Sequence, residues 1–334
     1  MAKITITDIA QLVGVSTATI SNYLNGNFSR MSEKTRTRIA EIIQNTNYQP
    51  SNAAHQLATN EARTIGVSVV DITNPFTSTV LSGIYHACGQ AGYSVIFTNA
   101  ANDSSAEIDN INKLRQQDTA GLIIDPIDPE SPIFKVLSNT NVVLLDRQAK
   151  ATQIDTIVTD NFASVKSFIQ DMRASGYDEL YFASWPIHNI STRRLRYQGF
   201  KTAMQYTDDE HLLLVEEEDD SGLKKRLAEI MQTRNEKRIG FFSMNAKVLI
   251  HLIAVLQQLG CNYPEDFGIG TYEDLEWMKI FRPGISCISQ NSLKLGETAV
   301  EVLLRKLKQQ RTDTNIPQAR IIEVPTTFVK RNSY

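Results

Sequence analysis

The fold of the first domain is decided by residues 5–24, which read TITDIAQLVGVSTATISNYL. Apolar residues recur in this stretch at helical spacing, at Ile6, Ile9, Ala10 and Val13. Gly14 then supplies the conformational freedom that a tight turn needs. Ser16 is placed to cap a second helix that runs to Leu24. The stretch therefore predicts a helix-turn-helix unit.

The next segment predicts a third helix, which begins at Ser32 and ends at residues 45–47. The second helix of such a unit fits the major groove of DNA, and small hydroxylated side chains at its start can approach base edges and phosphates closely. Short helix–glycine–helix patterns also occur in bundles that bind no DNA. The spacing alone leaves both interpretations open.

From Thr64 onward, buried strands alternate with helical segments. Strands are expected at residues 65–70, 93–98, 121–124, 142–145, 179–184, 212–215, 239–243 and 267–270. Helices are expected at residues 76–90, 104–117 and 161–175. This alternation indicates parallel sheets covered by helices. Because there are too many strands for one compact sheet, we predict two similar α/β subdomains.

Charge is distributed unevenly along the 334 residues, which carry a formal net charge of −3. Residues 1–60, which we call the head, hold five basic and three acidic side chains. The head is therefore mildly basic, and the remaining residues carry the acidic excess. This balance hints at a polyanion as the partner of the head. No stretch approaches the roughly 18 apolar residues of a spanning helix, so we expect no membrane association. Residues 1–5 lack the apolar core of a secretory signal, and a cytoplasmic location is expected.

Signs of catalytic, metal or cofactor chemistry are weak. Cys88, Cys261 and Cys287 lie far apart and the five histidines show no ligand spacing, so neither a disulfide framework nor a metal site is expected. The glycines at Gly268 and Gly270 lack the rest of a dinucleotide fingerprint, and no phosphate-binding loop is present. We predict no cofactor and no enzymatic activity. A sugar-modifying enzyme and a solute-binding protein without regulatory DNA binding remain the alternatives.

Several segments taken together resemble the LacI/GalR family of bacterial transcription regulators. They are TITDIA at 5–10, VSTATIS at 15–21, YQPSNAAHQLA at 48–58, RTIGV at 63–67, TNPF at 73–76, LLDR at 144–147, TDN at 159–161, RLRYQGF at 194–200 and ISQ at 288–290. Motifs in this order and at these intervals are more specific than any one of them, and they cover essentially the whole chain.

The resemblance implies an all-α helix-turn-helix head at residues 1–48, followed by a hinge helix and linker at residues 49–62. Residues 63–334 would then form a body like the periplasmic sugar-binding proteins, with two parallel-sheet subdomains and a small molecule in the cleft between them. The implied N-subdomain comprises residues 63–160 and 290–322. The implied C-subdomain comprises residues 161–289 and 323–334, with crossovers near residues 160, 289 and 323.

The resemblance also implies DNA contacts in the head and the hinge. The family's recognition-helix positions match Ser16, Thr17, Ala18 and Ser21. Contacts to phosphates through hydroxyls, amides and helix N-termini suit Thr5, Thr19, Asn25 and Ser32. In the hinge the implied contacts are Asn52, Ala53 and Leu57.

The hinge has a physical rationale of its own. A helix of eight or nine residues is marginal in water, so it should form only on DNA beside its two-fold mate. Leu57 would then be an apolar wedge in the minor groove, whose unstacking cost is recovered through a bent duplex. The alternative makes Leu57 an ordinary linker contact.

Implied effector contacts lie where the two subdomains face each other. They are Phe76, Asp146, Phe162, Arg193, Arg194, Asn245, Glu273 and Gln290. Phe76 and Phe162 either stack on the ligand or pack at helix starts. Asp146 ends a strand, where open α/β sheets place ligand contacts, although a cap or salt bridge is its alternative role. Gln290 touches the ligand or only links the subdomains.

The charges of these residues point to the class of ligand. Arg194 matches the family's ligand-facing arginine, and a guanidinium binds a carboxylate with bidentate geometry. Asn245 keeps the asparagine of the family's usual Asn-Asp pair, while Ala246 replaces the aspartate. The segment at residues 190–194 is similar to that of regulators that sense keto-deoxy sugar acids. We therefore hypothesise a sugar acid or sugar phosphate as effector.

The function that the resemblance implies is transcriptional repression of carbohydrate metabolism genes. A homodimer would bind a palindromic operator, because two-fold protein symmetry is mirrored in the DNA. Its affinity would be controlled by the effector in the cleft. The sequence leaves open whether the effector induces or co-represses.

Overall fold

The computed structural model describes residues 4–24, 26–29, 31–48, 62–138, 140–150, 153–233, 236–309 and 319–334. The chain divides into two compact units, Met1–Arg63 and Thr64–Tyr334. The predictions for Asn25, Asn52, Ala53 and Leu57, and for the hinge helix, fall outside the described residues.

The first unit contains the helices α1 (Ile6–Val13), α2 (Thr17–Leu24) and α3 (Glu33–Thr46). Thr5 caps α1 in a capping box with Asp8, and Ser32 caps α3 by accepting a hydrogen bond from the Thr35 N–H. Gly14 adopts a φ of 80°, the left-handed conformation that glycine reaches without strain, so α1 ends there. These features confirm the predicted helix-turn-helix pattern. The three helices enclose a small core, made of Ile9, Ala10, Val13, Ile20, Ile39 and Tyr48.

The second unit begins with a sheet of parallel strands in the order β11-β5-β4-β3-β1-β2. Its strands are β1 (Thr64–Val69), β2 (Ser94–Asn99), β3 (Gly121–Ile124), β4 (Val142–Leu145), β5 (Thr156–Thr159) and β11 (Ile321–Val324). Four of them are buried along nearly their whole length, which explains their continuous apolar sequence. The helices of this subdomain are α4 (Pro75–Gln90), α5 (Ser104–Gln116), α6 (Ile133–Leu137) and α12 (Ser292–Gln309).

The other sheet has the order β12-β10-β9-β8-β6-β7. Its strands are β6 (Glu179–Ser184), β7 (Leu212–Leu214), β8 (Ile239–Ser243), β9 (Gly268–Tyr272), β10 (Ser286–Ser289) and β12 (Thr327–Val329). Its helices are α7 (Phe162–Ala174), α8 (Ser191–Met204), α9 (Ser221–Thr233), α10 (Ala246–Gln258) and α11 (Glu276–Ile280). β12 pairs antiparallel with β10, so the parallel pattern is broken at that edge.

The chain passes between the two subdomains after β5, after β10 and after β11. The third passage falls between Val324 and Thr327, because β11 pairs with β5 through Val324 while β12 pairs with β10. Tyr272 joins the first of these passages to the C-subdomain sheet: its hydroxyl donates to the backbone oxygen of Asp160 at 2.9 Å and lies 3.2 Å from Thr159 Oγ1. The two-subdomain α/β architecture predicted from the sequence is confirmed.

Candidate functional site

The exposed face of the helix-turn-helix unit is formed by the start of α2. Ser16, Thr17 and Ala18 are exposed, whereas Ile20 is fully buried in the head core. Ser16 Oγ accepts from the Thr19 N–H at 3.2 Å and lies 3.0 Å from Thr19 Oγ1, so the helix start is ordered by its own hydroxyls. Small side chains are thus presented together on the side opposite the core, with Thr19 and Ser21 half-buried beside them.

Two of the phosphate-contact candidates in the head, Thr5 and Ser32, are helix caps in the structure, while Thr19 lies within α2. Thr5 and Ser32 are both exposed and stand at the N-termini of α1 and α3. Helix N-termini attract anions because their first N–H groups lack intrahelical partners. The exposed Arg36 stacks on Phe28, with its guanidinium carbon 4.1 Å from the ring centroid, and adds a cation that the sequence reasoning did not single out.

A cavity of about 450 Å³ lies between the two subdomains of the body. This volume falls within the range that holds small-molecule ligands. Six of the eight predicted effector contacts line it: Phe76, Asp146, Arg193, Asn245, Glu273 and Gln290. The structure adds residues that sequence reasoning did not assign to the effector, among them Asp71, Asp125, Arg147, Trp185, Arg196, Glu216, Glu217 and Lys247.

Two acidic side chains enter the cavity from sharp backbone bends at strand ends. Asp146 follows β4 with a φ of 61°, and Glu273 follows β9 with a φ of 90°, a region that non-glycine residues rarely adopt. Each bend is held by the neighbouring strand, because the Asp146 N–H donates to Ile157 O and the Glu273 N–H donates to Ile288 O, both at 2.8 Å. Strained backbone held by its surroundings is typical of ligand sites.

Arg196 is the most enclosed cation of the cavity. Its Nε donates to Asn161 Oδ1 at 2.7 Å and its Nη1 donates to Met244 O at 2.7 Å. The guanidinium carbon lies 3.6 Å from the centre of the Tyr272 ring. A guanidinium has five N–H donors, so this fixed group keeps donors for a ligand.

Arg194 and Phe162 do not line the cavity, unlike the other six predicted effector contacts. Arg194 is exposed on α8, because residues 193 and 196 share a helix face from which residue 194 is rotated away. Phe162 lines a separate shallow hollow with Gln198 and Tyr206, because α7 begins where α8 approaches it closely. Gly199, which is buried against α7, fixes the rotation of α8 and so turns Arg196 towards the cavity.

Three of the predicted effector contacts also have structural roles. Asn245 caps α10, since its Oδ1 accepts from the Val248 N–H at 2.9 Å. Phe76 belongs to the N-subdomain core as well as the cavity wall. Gln290 Oε1 accepts from Thr159 Oγ1 at 3.3 Å and so links two crossovers.

The first turn of α10 contacts both walls of the cavity. Glu273 Oε2 accepts from the Ala246 N–H at 3.0 Å, and Lys247 Nζ lies 3.0 Å from Asp71 Oδ2 of the opposite subdomain. Burial raises the pKa of Glu273, with the N–H of Ala246 and the charge of Arg196 opposing the shift. Lys247 therefore bridges the cleft, while Glu273 faces it from one side.

Burial shifts the pKa of one arginine of the cavity as well as those of the acids. Burial, with the nearby charges of Arg147 and Arg196, lowers the pKa of Arg193 to about 10. Arg193 Nη1 donates to Pro186 O at 2.7 Å. Three guanidinium groups thus interact across one cavity, which favours an anionic ligand between them.

No cluster of His, Cys, Asp and Glu that could hold a metal ion is found in the described part of the chain. The helices of the described ranges include none with the length and apolar character needed to cross a membrane.

Both units match models of known protein families. Residues 5–51 match the model described as bacterial regulatory proteins, lacI family. Residues 65–311 match the model described as a periplasmic binding protein domain.

Individual proteins match along nearly the whole chain. The chain is 30% identical to the HTH-type transcriptional regulator KdgR of Bacillus subtilis (strain 168), over 98% of this chain and 97% of that protein. It is 28% identical to the HTH-type transcriptional regulator PtxS of Pseudomonas putida, over 92% of this chain and 90% of that protein. The crystal structure of the Lac repressor dimer bound to operator and an anti-inducer is similar in fold, with a TM-score of 0.84, 22% identity and 99% coverage of both chains.

Proposed function

The chain belongs to the LacI family of bacterial regulatory proteins, and from this premise we propose that it represses carbohydrate metabolism genes under the control of an anionic sugar derivative. It is a DNA-binding transcriptional regulator with an effector-binding body, and not an enzyme. In the proposal a homodimer binds a palindromic operator in the cytoplasm, one head on each half-site.

The exposed start of α2 supports a role for Ser16, Thr17 and Ala18 at base edges in the major groove. None of the residues from Ser16 to Leu24 is charged, so arginine-to-guanine readout is absent from this helix. We infer that methyl and hydroxyl contacts, together with the shape and deformability of the DNA, carry the specificity.

The observation that supports an anionic effector is the convergence of Arg147, Arg193 and Arg196 on the cavity. Their planar groups suit a carboxylate or phosphate. The acidic residues of the same cavity suit sugar hydroxyls, which donate to carboxylates. A sugar acid or sugar phosphate satisfies both sets of groups at once.

Operator binding is tested by fluorescence anisotropy on a palindromic duplex taken from the protein's own upstream region, against a scrambled duplex. Ala18→Glu places a carboxylate on the exposed face of α2 and is expected to abolish specific binding. Gln116→Glu adds the same charge on the exposed surface of α5 and is expected to leave binding unchanged. Equal loss in both variants would contradict the assigned DNA face.

The effector class is tested by calorimetry of the full chain with 2-keto-3-deoxygluconate, gluconate and 6-phosphogluconate, against glucose and ribose. Binding of an acid and not of the neutral sugars is expected. Tight binding of a neutral hexose with no binding of any acid would refute the proposed class. Anisotropy with the bound acid then distinguishes induction from co-repression.

A further inference from the structure

Three buried carboxyl groups stand together on the N-subdomain side of the cavity. Asp125 follows β3 and is 6% exposed, Asp146 follows the adjacent strand β4 and is 8% exposed, and Glu107 of α5 is 1% exposed. Within the described ranges, each has one oxygen without a hydrogen-bond partner: Asp125 Oδ1, Asp146 Oδ1 and Glu107 Oε2. Asp125 and Asp146 line the cavity, while the three unpartnered oxygens are themselves buried.

The charges that face these groups come from several elements. Arg147 Nε lies 3.8 Å from Asp125 Oδ1, while its Nη1 donates to Pro126 O at 3.3 Å. Asp146 is also stabilised in its charged form by Arg196 of α8, and Glu107 faces Asp128 of the loop after β3. Arg147 is therefore the main positive charge that Asp125 and Glu107 share.

Glu107 does not line the cavity but holds the loop that follows β3. Its Oε1 accepts from the Ile127 N–H at 2.8 Å, which holds the segment that follows Asp125. Burial raises the pKa of Glu107 to about 7, and burial next to Asp146 and Glu107 raises the pKa of Asp125 to about 8. At neutral pH these groups therefore retain protons that an exposed carboxyl would have lost.

A protonated carboxyl is a hydrogen-bond donor, whereas an ionised one only accepts and repels an anion. We propose that Asp125 is a specificity-determining residue that meets the effector as a neutral carboxylic acid and donates a hydrogen bond to its carboxylate or phosphate oxygen. This inference rests on the proposed anionic effector. It explains how a wall of buried acids can face an anion without repelling it.

The protonated form of Asp125 then links effector binding to pH. Below pH 7, Asp125 already holds its proton and binding takes up none. Above pH 8, binding draws one proton from solvent, and affinity for the acid falls by up to about tenfold for each further pH unit. Asp125→Asn keeps an N–H donor that does not titrate, so its affinity should stay nearly constant up to pH 9, where Arg193, with a pKa of about 10, is still largely protonated.

The test is calorimetry of the full chain with 2-keto-3-deoxygluconate, gluconate and 6-phosphogluconate, from pH 6.5 to 9.5, in two buffers of different ionisation enthalpy. The wild type should take up close to one proton at pH 9, and Asp125→Asn should take up none. Asp109→Asn removes an exposed carboxyl from the same helix as Glu107 and should behave as the wild type.

A second measurement does not depend on any variant or ligand. Carbon-13 NMR of the carboxyl groups in the free wild-type protein should show Asp125 titrating near pH 8. A titration below pH 5, or equal pH dependence in the wild type and Asp125→Asn, overturns the inference while leaving the effector class intact. If no acid binds at any pH, the proposed effector class fails and the inference fails with it.

Discussion

Arg194 and Arg196 stand two positions apart on one helix and have opposite environments. Arg196 is buried between Asn161, Met244 and Tyr272, whereas Arg194 is exposed. Arg196→Lys loses the planar group that makes these contacts, so we expect effector affinity to fall by at least tenfold. Arg194→Lys should change effector affinity by less than twofold. Calorimetry with the bound acid measures both, and a larger loss in Arg194→Lys would contradict the assignment.

The same pair shows where sequence reasoning reached its limit at the residue scale. Residue types and their order identified an arginine cluster, but only the packing of α8 against α7 fixes which of the arginines faces the cleft. Asp125 was missed for a related reason. It follows a correctly predicted strand, yet its importance comes from burial beside Asp146 and Glu107, which are distant in sequence.

Glu107 predicts a pH dependence of stability. Its pKa is raised to about 7 by burial, so between about pH 4.5 and pH 7 the folded state binds more protons than the unfolded state. The contribution of Glu107 to the free energy of unfolding therefore decreases as pH rises through that window. We expect the melting temperature of Glu107→Gln to fall less than that of the wild type between pH 5 and pH 8. Differential scanning calorimetry measures the melting temperatures, and Asp109→Asn should follow the wild type. An equal fall in melting temperature in all three proteins would contradict the role of Glu107.

At the scale of elements, the strands whose bounds were predicted correctly are buried on both faces. β3, β4, β6 and β8 have the expected bounds because a continuous apolar run leaves little choice of ends. β5, β10, β11 and β12 were not predicted as strands; β11 and β12 have exposed positions, whereas β5 and β10 are short and largely buried. Their pairing is decided by the neighbouring strand across the sheet, which a local pattern does not contain.

The edge strand β12 is held by a buried ion pair close to the end of the chain. Arg331 Nη2 contacts Asp274 Oδ1 and Oδ2 at 2.8 and 3.0 Å, and both side chains are under one-fifth exposed. Asp274→Asn leaves Arg331 partly uncompensated, so we expect a loss of about 3 kcal/mol in the free energy of unfolding. Glu276→Gln breaks the exposed pair with Lys279, which solvent screens, and should cost far less than Asp274→Asn. Urea unfolding followed by tryptophan fluorescence measures both, and similar losses would refute the role of the pair.

At the scale of the whole body, contacts across the cavity hold the two subdomains together. Lys247 pairs with Asp71, the Gln148 N–H donates to Ser191 Oγ at 3.0 Å, and Asn189 Nδ2 donates to Glu130 Oε1 at 3.1 Å. These contacts must break if the cleft opens, and a ligand that contacts both walls favours the state in which they form. They provide a physical means by which an effector biases the arrangement of the body.

Lys247 tests whether that arrangement is coupled to DNA binding. Lys247→Met removes the ion pair with Asp71, and we expect effector affinity to fall by about three- to tenfold, as for a loss of roughly 1 kcal/mol. Because coupling is reciprocal, the factor by which effector changes operator affinity must equal the factor by which operator changes effector affinity. In the variant both factors should shrink together towards one, as measured by anisotropy and calorimetry.

Lys237→Met removes an exposed lysine from its pair with Glu179 and should change neither factor. A variant that binds effector weakly but keeps the full coupling factor would show that Lys247 contacts the ligand without controlling closure.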